Sequence, residues 1–245
     1  MQPGWLRATW KRQTLLVERQ DGSGRSWSIW CDNRRMTQFL EDVSIPIRPE
    51  IPALFAREWS RLAAPGSYWS GRQRIEMAAT AREARAGSRN GNSSLPAAAE
   101  EAASLLGARP AGTSRSWVES TMVDLGSGPY IEIVGVVSRA VAVDTFHRAI
   151  GSPLPRLPES VAGDPTGIND PAARSGPAWV PMVGGASIVG ALSAVPPEAE
   201  AQEDMHGPLY LTYQQMQDLE FVRGLSRPQM ELVAARTSAI NECFY

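Results

Sequence analysis

The chain has 245 residues, 43% of them hydrophobic and 20% charged, which is typical of a globular protein with enough material for a sizeable core. A formal net charge of −2 argues against nucleic acid as a partner held by bulk electrostatics. No apolar run reaches the roughly 18 residues of a spanning helix, and no secretory signal pattern opens the chain, so we expect no membrane partner and a cytoplasmic location. Two cysteines, Cys31 and Cys243, are too few for a disulfide framework.

Residues 1–38 differ in composition from the rest and leave two interpretations open. They contain four of the eight tryptophans and a turn-forming "QDGSGRS" stretch. The flanking segments "ATWKRQTLLVERQ" and "RSWSIWC" would form a two-stranded hairpin. Alternatively, the segment is not part of the fold and Met36 is the start of the protein. We therefore treat residues 1–38 as an N-terminal extension whose order the sequence leaves open.

From residue 51 onward the spacing of apolar residues predicts a series of helices. The first carries an apolar stripe formed by Ile51, Leu54, Phe55, Trp59 and Leu62. A second helix is expected over about 71–87 with Ser70 as its cap, a third closes at Gly107, and a fourth covers about 114–125.

The strongest element is "PYIEIVGVVSRAVAVDTFHRAIG", which begins with Pro129 and ends with Gly151 at C′. Its length and its apolar residues on nearly all sides favour a buried helix over a strand. The Pro/Gly-rich stretch that follows is interpreted as an ordered excursion or linker. The last helix is expected to start with Ser226 as N-cap and Pro228 close to N1.

Two helical segments resemble each other and indicate an internal duplication. "RIEMAATAREA" (Arg74 to Ala84) aligns without gaps with "QMELVAARTSA" (Gln229 to Ala239), and Glu76 coincides with Glu231. A Glu inside such a helix costs free energy unless it is paired or has a function.

Glu231 and Cys243 are the candidate site residues. On a straight helix their twelve-residue separation is about 18 Å, so spacing alone also allows a first-turn Glu and a small buried Cys without function. Asp144 and His147 could form an ion pair or supply two metal ligands, which is too few for a metal site. His206 is expected to be solvated in a polar loop. We predict neither a metal nor a cofactor.

"QMELVAARTSAINECFY" resembles the start of the active-site helix in the carboxymuconolactone decarboxylase and alkylhydroperoxidase D family, and most of all in its two-domain, peroxidase-related branch. In that family the helix continues C-x-x-C-x-x-x-H, with a Glu twelve positions before the first Cys. Glu231 and Cys243 match the first two of these positions, and the sequence ends inside the C-x-x-C motif.

The resemblance implies an all-α, internally duplicated helical bundle with an incomplete second half. Residues 39–151 would be the first domain, without its cysteines; 152–200 the Pro/Gly-rich connection; and 201–245 the start of the second domain. It also implies an antioxidant oxidoreductase that reduces peroxides with thiols. Glu231 would be its proton-relay acid and Cys243 one thiol of its redox pair. The missing second Cys and His would leave the activity impaired or absent.

The partners implied are other copies of the chain in a homo-oligomer and a thiol reductant protein. A non-catalytic role as a helical oligomer component, in a degenerate relative, is the alternative. Decarboxylase-type or isomerase-type chemistry on a small lactone is a third interpretation. It would need a His and an Arg near Glu76 or Glu231, and the sequence gives no sign of a His there. An apolar face left uncovered by an incomplete second half would also make the chain self-associate.

Overall fold

A computed structural model describes residues 6–11, 14–20, 26–32, 40, 43–88, 93–185 and 190–243. From Glu50 onward the helices form a bundle, which confirms the predicted all-α fold class. The α-helices of this described part are α1 (Glu50–Ala63), α2 (Gly71–Arg85), α3 (Ala97–Ala108), α4 (Arg115–Leu125), α5 (Ser127–Ala149), α6 (Pro196–Leu209), α7 (Tyr213–Met216) and α8 (Arg227–Ile240). A short 3₁₀ helix, Pro110–Gly112, joins α3 to α4. None of the helices searched in the described residues is long and apolar enough to cross a membrane.

The N-terminal strands form a three-stranded antiparallel sheet in the order β1 (Leu6–Lys11), β2 (Thr14–Gln20) and β3 (Ser26–Asp32). The hairpin expected around "QDGSGRS" is confirmed as the β2–β3 pair. The segment "ATWKRQTLLVERQ" contributes to two strands rather than one, because β1 pairs with β2. The connection after Lys11 has no Gly, Pro, Asn or Asp, so the usual turn signal is missing from the sequence. Met36 lies outside the described residues.

The core of the bundle is built around α5. The predicted apolar stripe of α1 is buried throughout, with Phe55 fully inaccessible. On α5, buried residues occur on most sides of the helix, which confirms the interpretation of a buried helix. The helix begins two residues before Pro129 and ends as predicted, with Gly151 at φ +71°. Residues with no access to solvent on α5 include Glu132 as well as Ile133.

Helices α2 and α3 pack closely against each other. Ser70 caps α2, and a capping box with Gln73 completes the start of the helix. Gly107 does not close α3 as predicted, because the helix continues to Ala108. A Cβ on Gly107 would lie 2.6 Å from the Cα of Ala81, so this glycine allows the two helices to approach each other.

The Pro/Gly-rich stretch is an ordered excursion over the bundle, which was one of its two predicted forms. The Pro155 carbonyl accepts a hydrogen bond from Arg82, and the Val161 amide donates to Ala63 at 2.8 Å. The Gly167 amide donates to Ser67 at 2.7 Å. Individual hydrogen bonds to the α1–α2 region therefore fix this segment although it contains no helix or strand.

Helix α6 starts at Pro196 and packs against α5 and α1. The predicted boundary at residue 201 therefore falls inside a helix that contacts the first bundle. A two-stranded hairpin, β4 (Val222–Arg223) and β5 (Leu225–Ser226), follows α7 and turns at Gly224, which has a φ of +71°. It leads directly into α8, whose N-cap is Ser226 as predicted.

Candidate functional site

Helix α8 carries both predicted site residues, but at opposite ends. Glu231 lies in the first turns of the helix, and Cys243 lies three residues beyond its last residue, Ile240. An uninterrupted helix separates positions twelve residues apart by about 18 Å. The fold of a single chain therefore does not bring the carboxylate and the thiol together.

Glu231 is held by two hydrogen bonds. The Tyr210 hydroxyl donates to its Oε1 at 2.7 Å, and Arg227 Nε donates to the same oxygen at 2.6 Å. These hydrogen bonds, that from Tyr210 first, lower the pKa of Glu231 below its ordinary value. Partial burial and the neighbouring Glu231 charge raise the pKa of Tyr210. At neutral pH the pair is therefore a carboxylate and a neutral phenol.

His206 lies beside this pair, contrary to the expectation of a solvated histidine in a loop. It belongs to α6, and its Nδ1 lies 2.6 Å from the Leu211 carbonyl oxygen. Its ring meets the Tyr210 ring edge-on, with 5.5 Å between centroids. Arg227 thus contacts Glu231 directly, whereas His206 contacts Tyr210, which in turn donates to Glu231. This arrangement could not be predicted from local spacing, because His206 and Glu231 are 25 positions apart in the chain.

Cys243 is a free cysteine exposed to solvent. Its amide donates to the Ser238 carbonyl at 3.0 Å, and the Glu242 amide donates to Ala239 at 3.3 Å. Together with a φ of +55° at Glu242, these bonds define a Schellman motif, the left-handed turn that usually contains glycine. The helix is therefore capped by a turn that could not be predicted from the sequence, because Glu242 stands where Gly is usual.

The aligned residues of α2 repeat this geometry. The Ser88 amide donates to Glu83 at 3.0 Å and the Gly87 amide to Ala84 at 3.1 Å, with Gly87 at φ +68°. Ser88 therefore occupies the turn position that Cys243 occupies after α8. Glu76, the counterpart of Glu231, accepts hydrogen bonds from the amide and hydroxyl of Ser94 at 2.5 and 2.7 Å. At the aligned positions α2 thus has a carboxylate, Glu76, and a hydroxyl, Ser88, where α8 has Glu231 and the thiol of Cys243.

A buried ion network between α2, α5 and α6 was not predicted. Arg74 Nη1 donates to Glu132 and, at 2.8 Å, to Glu198. Arg139 Nη2 donates to the other oxygen of Glu198 at 2.5 Å. The Tyr68 amide completes the set with a 2.7 Å bond to Glu132. The two arginines and two glutamates are each at most 5% exposed.

The network continues to α1 and the protein surface. Arg139 Nε lies 3.3 Å from Glu58 Oε2, and Glu58 also accepts a 2.6 Å hydrogen bond from Arg61. Arg61 in turn donates to Asp204 on α6 at 2.5 Å. With Arg57, which lies 3.7 Å from both Glu58 and Asp204, four guanidinium groups face four carboxylates. This charge balance indicates a structural network rather than a site for a cation.

Burial and pairing shift the three buried glutamates differently. Burial raises the pKa of Glu132, although Arg74 opposes it, and burial likewise raises the pKa of Glu58. Burial also acts on Glu198, but the charges of Arg139 and Arg74 outweigh it and lower the pKa of that group. Glu198 is therefore the carboxylate on which the two buried arginines converge.

Two glycines make room for the network. A Cβ on Gly66 would lie 1.8 Å from Glu132 Oε1, and one on Gly135 would lie 2.4 Å from Glu198 Oε2. The available signal in the sequence was Glu132 and Arg139 in an otherwise apolar helix, seven residues apart and hence on one face.

Asp144 and His147 have polar partners outside the buried ion network. Arg82 forms a two-pronged ion pair with Asp144 at 2.8 and 2.7 Å, and His147 Nδ1 lies 2.8 Å from the Pro153 carbonyl. Across the described residues, no group of three or more His, Cys, Asp or Glu side chains is arranged to hold a metal ion.

Comparison with known proteins does not assign the chain to a family. No protein-family model matches it, and neither a curated protein nor a solved structure gives a match.

Proposed function

We propose that the chain is an alkylhydroperoxidase-like protein in which Cys243 is the thiol that reacts with a peroxide. The observation that carries the proposal is the position of Cys243: an exposed, free thiol at the end of a helix with a fixed carboxylate at its start. The resemblance in sequence supports the same assignment. The second half, with Cys243, would be the reactive one, since the equivalent turn of the first half presents Ser88.

The reaction needs one thiol from this chain and further thiols from a reductant. The Cys243 thiolate attacks one peroxide oxygen, the O–O bond breaks, and the other oxygen leaves as an alcohol or water after taking up a proton. Sulfur is thereby oxidised to a sulfenic acid. A reductant thiol then forms a mixed disulfide and releases water, and a second reductant thiol restores Cys243. A thiol reductant protein or a small thiol would fill this role.

Glu231 cannot take the Cys243 proton within one chain, because α8 separates them. We therefore expect slow turnover and release of the thiol proton to solvent. In this interpretation Tyr210 and Arg227 keep Glu231 ionised and oriented, and Glu231 acts as a relay acid only toward a group brought to its end of the helix.

The test is detection of sulfenic acid in a Cys31→Ser background. The protein is treated with hydrogen peroxide or cumene hydroperoxide, trapped with dimedone and mapped by mass spectrometry. We expect an adduct at Cys243, its loss in Cys243→Ser, and a labelling rate within about twofold of the parent in Glu231→Gln. If the peroxide oxidises added glutathione but no adduct forms at Cys243, then Cys243 is not the thiol that reacts, and the proposal is rejected.

A second candidate function is that of a non-catalytic component of a homo-oligomer. It is favoured by the exposed apolar side chains of α8. Leu232 is 72% exposed, Val233 57% and Ile240 66%. Exposed aliphatic side chains on one helix face are typical of an interaction surface. Light scattering at micromolar concentration tests it: a mass above that of one chain supports assembly, and a monomer at all concentrations contradicts it.

A further inference from the structure

Helix α8 is attached to the rest of the described chain through its first turns. Met230 is its one buried residue, whereas the aligned helix α2 buries five. Arg227 donates to the Met216 carbonyl at 3.0 Å, and Glu231 accepts the hydrogen bond from Tyr210. These attachment points all lie within the first five residues of the helix.

Beyond Glu231 the helix has little tertiary support. Every residue from Leu232 to Ile240 is exposed or half-buried. The Thr237 hydroxyl donates to the Val233 carbonyl at 2.8 Å, which is a bond within the helix itself. The element against which α8 packs most is β5, the two-residue strand that leads into it. Packing therefore contributes little to the stability of this part of the helix.

The local sequence does not compensate for the missing contacts. The segment from residue 232 to 240 has nine residues, and an isolated helix of fewer than about 12–15 residues is marginal in water. Val233, Thr237, Ser238 and Ile240 all have a lower helix propensity than Ala. The turn that closes the helix is strained, because Glu242 has a φ of +55°.

We propose that α8 from Leu232 onward unfolds and refolds as a local unit while the helical bundle stays folded. Elements with few buried apolar contacts open at a lower free energy than the core of the same protein. Helix α2 provides the contrast. It opens only together with the core, because Met77 and Ala78 are at most 2% exposed and Arg74 donates to two buried glutamates.

Cys243 is carried on this unit. Its amide is bound in the turn that closes α8, so opening of the helix releases it. Within the proposed reaction, a reductant thiol must gain access to the sulfur of Cys243, and the opened segment offers it more directions of approach than the turn does. This consequence rests on the proposed function. The opening itself does not, and it is measured without a peroxide.

A disulfide that the helix forbids tests the opening. Ala234 and Cys243 are nine residues apart, or about 13.5 Å along a helix, whereas the two Cα atoms of a disulfide lie within about 7 Å. In a Cys31→Ser background, Ala234→Cys therefore bridges to Cys243 only when the end of α8 unfolds. The matched control combines Ala79→Cys with Ser88→Cys in α2 and also carries Cys243→Ser. Ala79 and Ala234 occupy aligned positions and are both half-buried.

Both proteins are oxidised with diamide at high dilution, and the internal disulfide is quantified by mass spectrometry of unreduced peptides. The bridge in α8 should form at least about tenfold faster than the bridge in α2. Equal rates, or no bridge in α8, would overturn the proposal. Failure to detect sulfenic acid at Cys243 would overturn the proposed function and leave the opening of α8 as it is.

Glycine at the same two positions shows whether α8 unfolds together with the bundle. Ala79→Gly should lower the equilibrium constant of folding about fivefold, because Gly is less favourable than Ala in a helix interior, and urea denaturation measures this change. Ala234→Gly should leave that constant unchanged and instead accelerate hydrogen exchange of the amides from Ala235 to Ile240 about fivefold. An equal loss of folding stability in the two variants would contradict local unfolding of α8.

Discussion

Helices α2 and α8 are aligned in sequence and end in the same turn, yet they have opposite relations to the protein. In α2, the residues Met77 and Ala78 are at most 2% exposed; their counterparts in α8, Leu232 and Val233, are more than half exposed. The face that α2 turns toward α3 and α5 is the face that α8 turns outward. Similar local sequence therefore specifies the helix and its termini, while the neighbouring helices decide which face is covered.

The polar residues differ in the same way. Arg74 of α2 reaches two buried glutamates, whereas its counterpart Gln229 caps its own helix by accepting from the Ser226 amide at 2.9 Å. Glu76 and Glu231 both find donors, but from different parts of the chain. The comparison indicates that α2 is fixed by the core and α8 by a small set of surface hydrogen bonds.

The largest expected effect is loss of the buried charge that distinguishes α2. Arg74→Met should lower the free energy of unfolding by about 3–5 kcal/mol, because it leaves Glu132 and Glu198 buried without this partner. Urea denaturation provides the measurement. Arg72→Met, on the exposed side of the same helix, should change stability by less than about 0.5 kcal/mol. Equal effects of the two substitutions would contradict the structural role of the network.

Replacing Glu198, the carboxylate shared by Arg74 and Arg139, should lower the free energy of unfolding by an amount that depends on pH. Because the folded-state pKa of Glu198 is lowered, its ionised form contributes stability above the unfolded-state pKa, and this contribution is lost as the pH falls through the folded-state value. Glu198→Gln should cost about 3 kcal/mol at pH 6 and less toward pH 3.5.

Glu132→Gln is the comparison for that experiment. The pKa of Glu132 is raised, so its ionisation in the folded state reduces stability as the pH rises above the unfolded-state pKa. The cost of Glu132→Gln should therefore decrease with rising pH. If the stability cost of the two variants changed with pH in the same direction, the opposite pKa shifts of Glu198 and Glu132 would be contradicted.

A third pair of substitutions compares the covered face of α2 with the exposed face of α8. Met77→Ala should cost about 3 kcal/mol because it opens a cavity in the core. Leu232→Ala at the aligned position of α8 should cost less than about 0.5 kcal/mol in the dissociated chain. Thermal unfolding at low protein concentration compares them, and a large effect of Leu232→Ala there would mean that its face is covered within one chain.

The smallest effects are expected at the two left-handed turn positions. Gly87→Ala should destabilise the end of α2 by about 1 kcal/mol, although no atom lies within 4 Å of the added Cβ. Glu242→Gly should stabilise the end of α8 by a similar amount, since it removes the strain of a side chain at φ +55°. Hydrogen exchange is the measurement: the Ser88 amide should exchange faster in Gly87→Ala, and the Cys243 amide should exchange more slowly in Glu242→Gly.

The sequence by itself determined most of the helices and several of their ends. The apolar stripe of α1, the caps at Ser70 and Ser226, and the stop at Gly151 follow from local spacing and turn chemistry, and all are confirmed. Local signals failed at Glu242, because a residue other than Gly or Asn occupies the left-handed position of the turn that ends α8. The similarity of α2 and α8 was also visible in sequence, as far as the helices themselves are concerned.

Only the tertiary structure decided which distant charges meet. Glu58, Glu132 and Glu198 come from three helices and share two arginines, and no spacing along the chain relates them. The same holds for Tyr210, which donates to Glu231, and for His206, whose ring contacts Tyr210. Conversely, Glu231 lies in the first turns of α8 and Cys243 three residues beyond its end, so the rise of about 1.5 Å per residue along the helix keeps the two apart. Local spacing determines helices, and packing between helices determines sites.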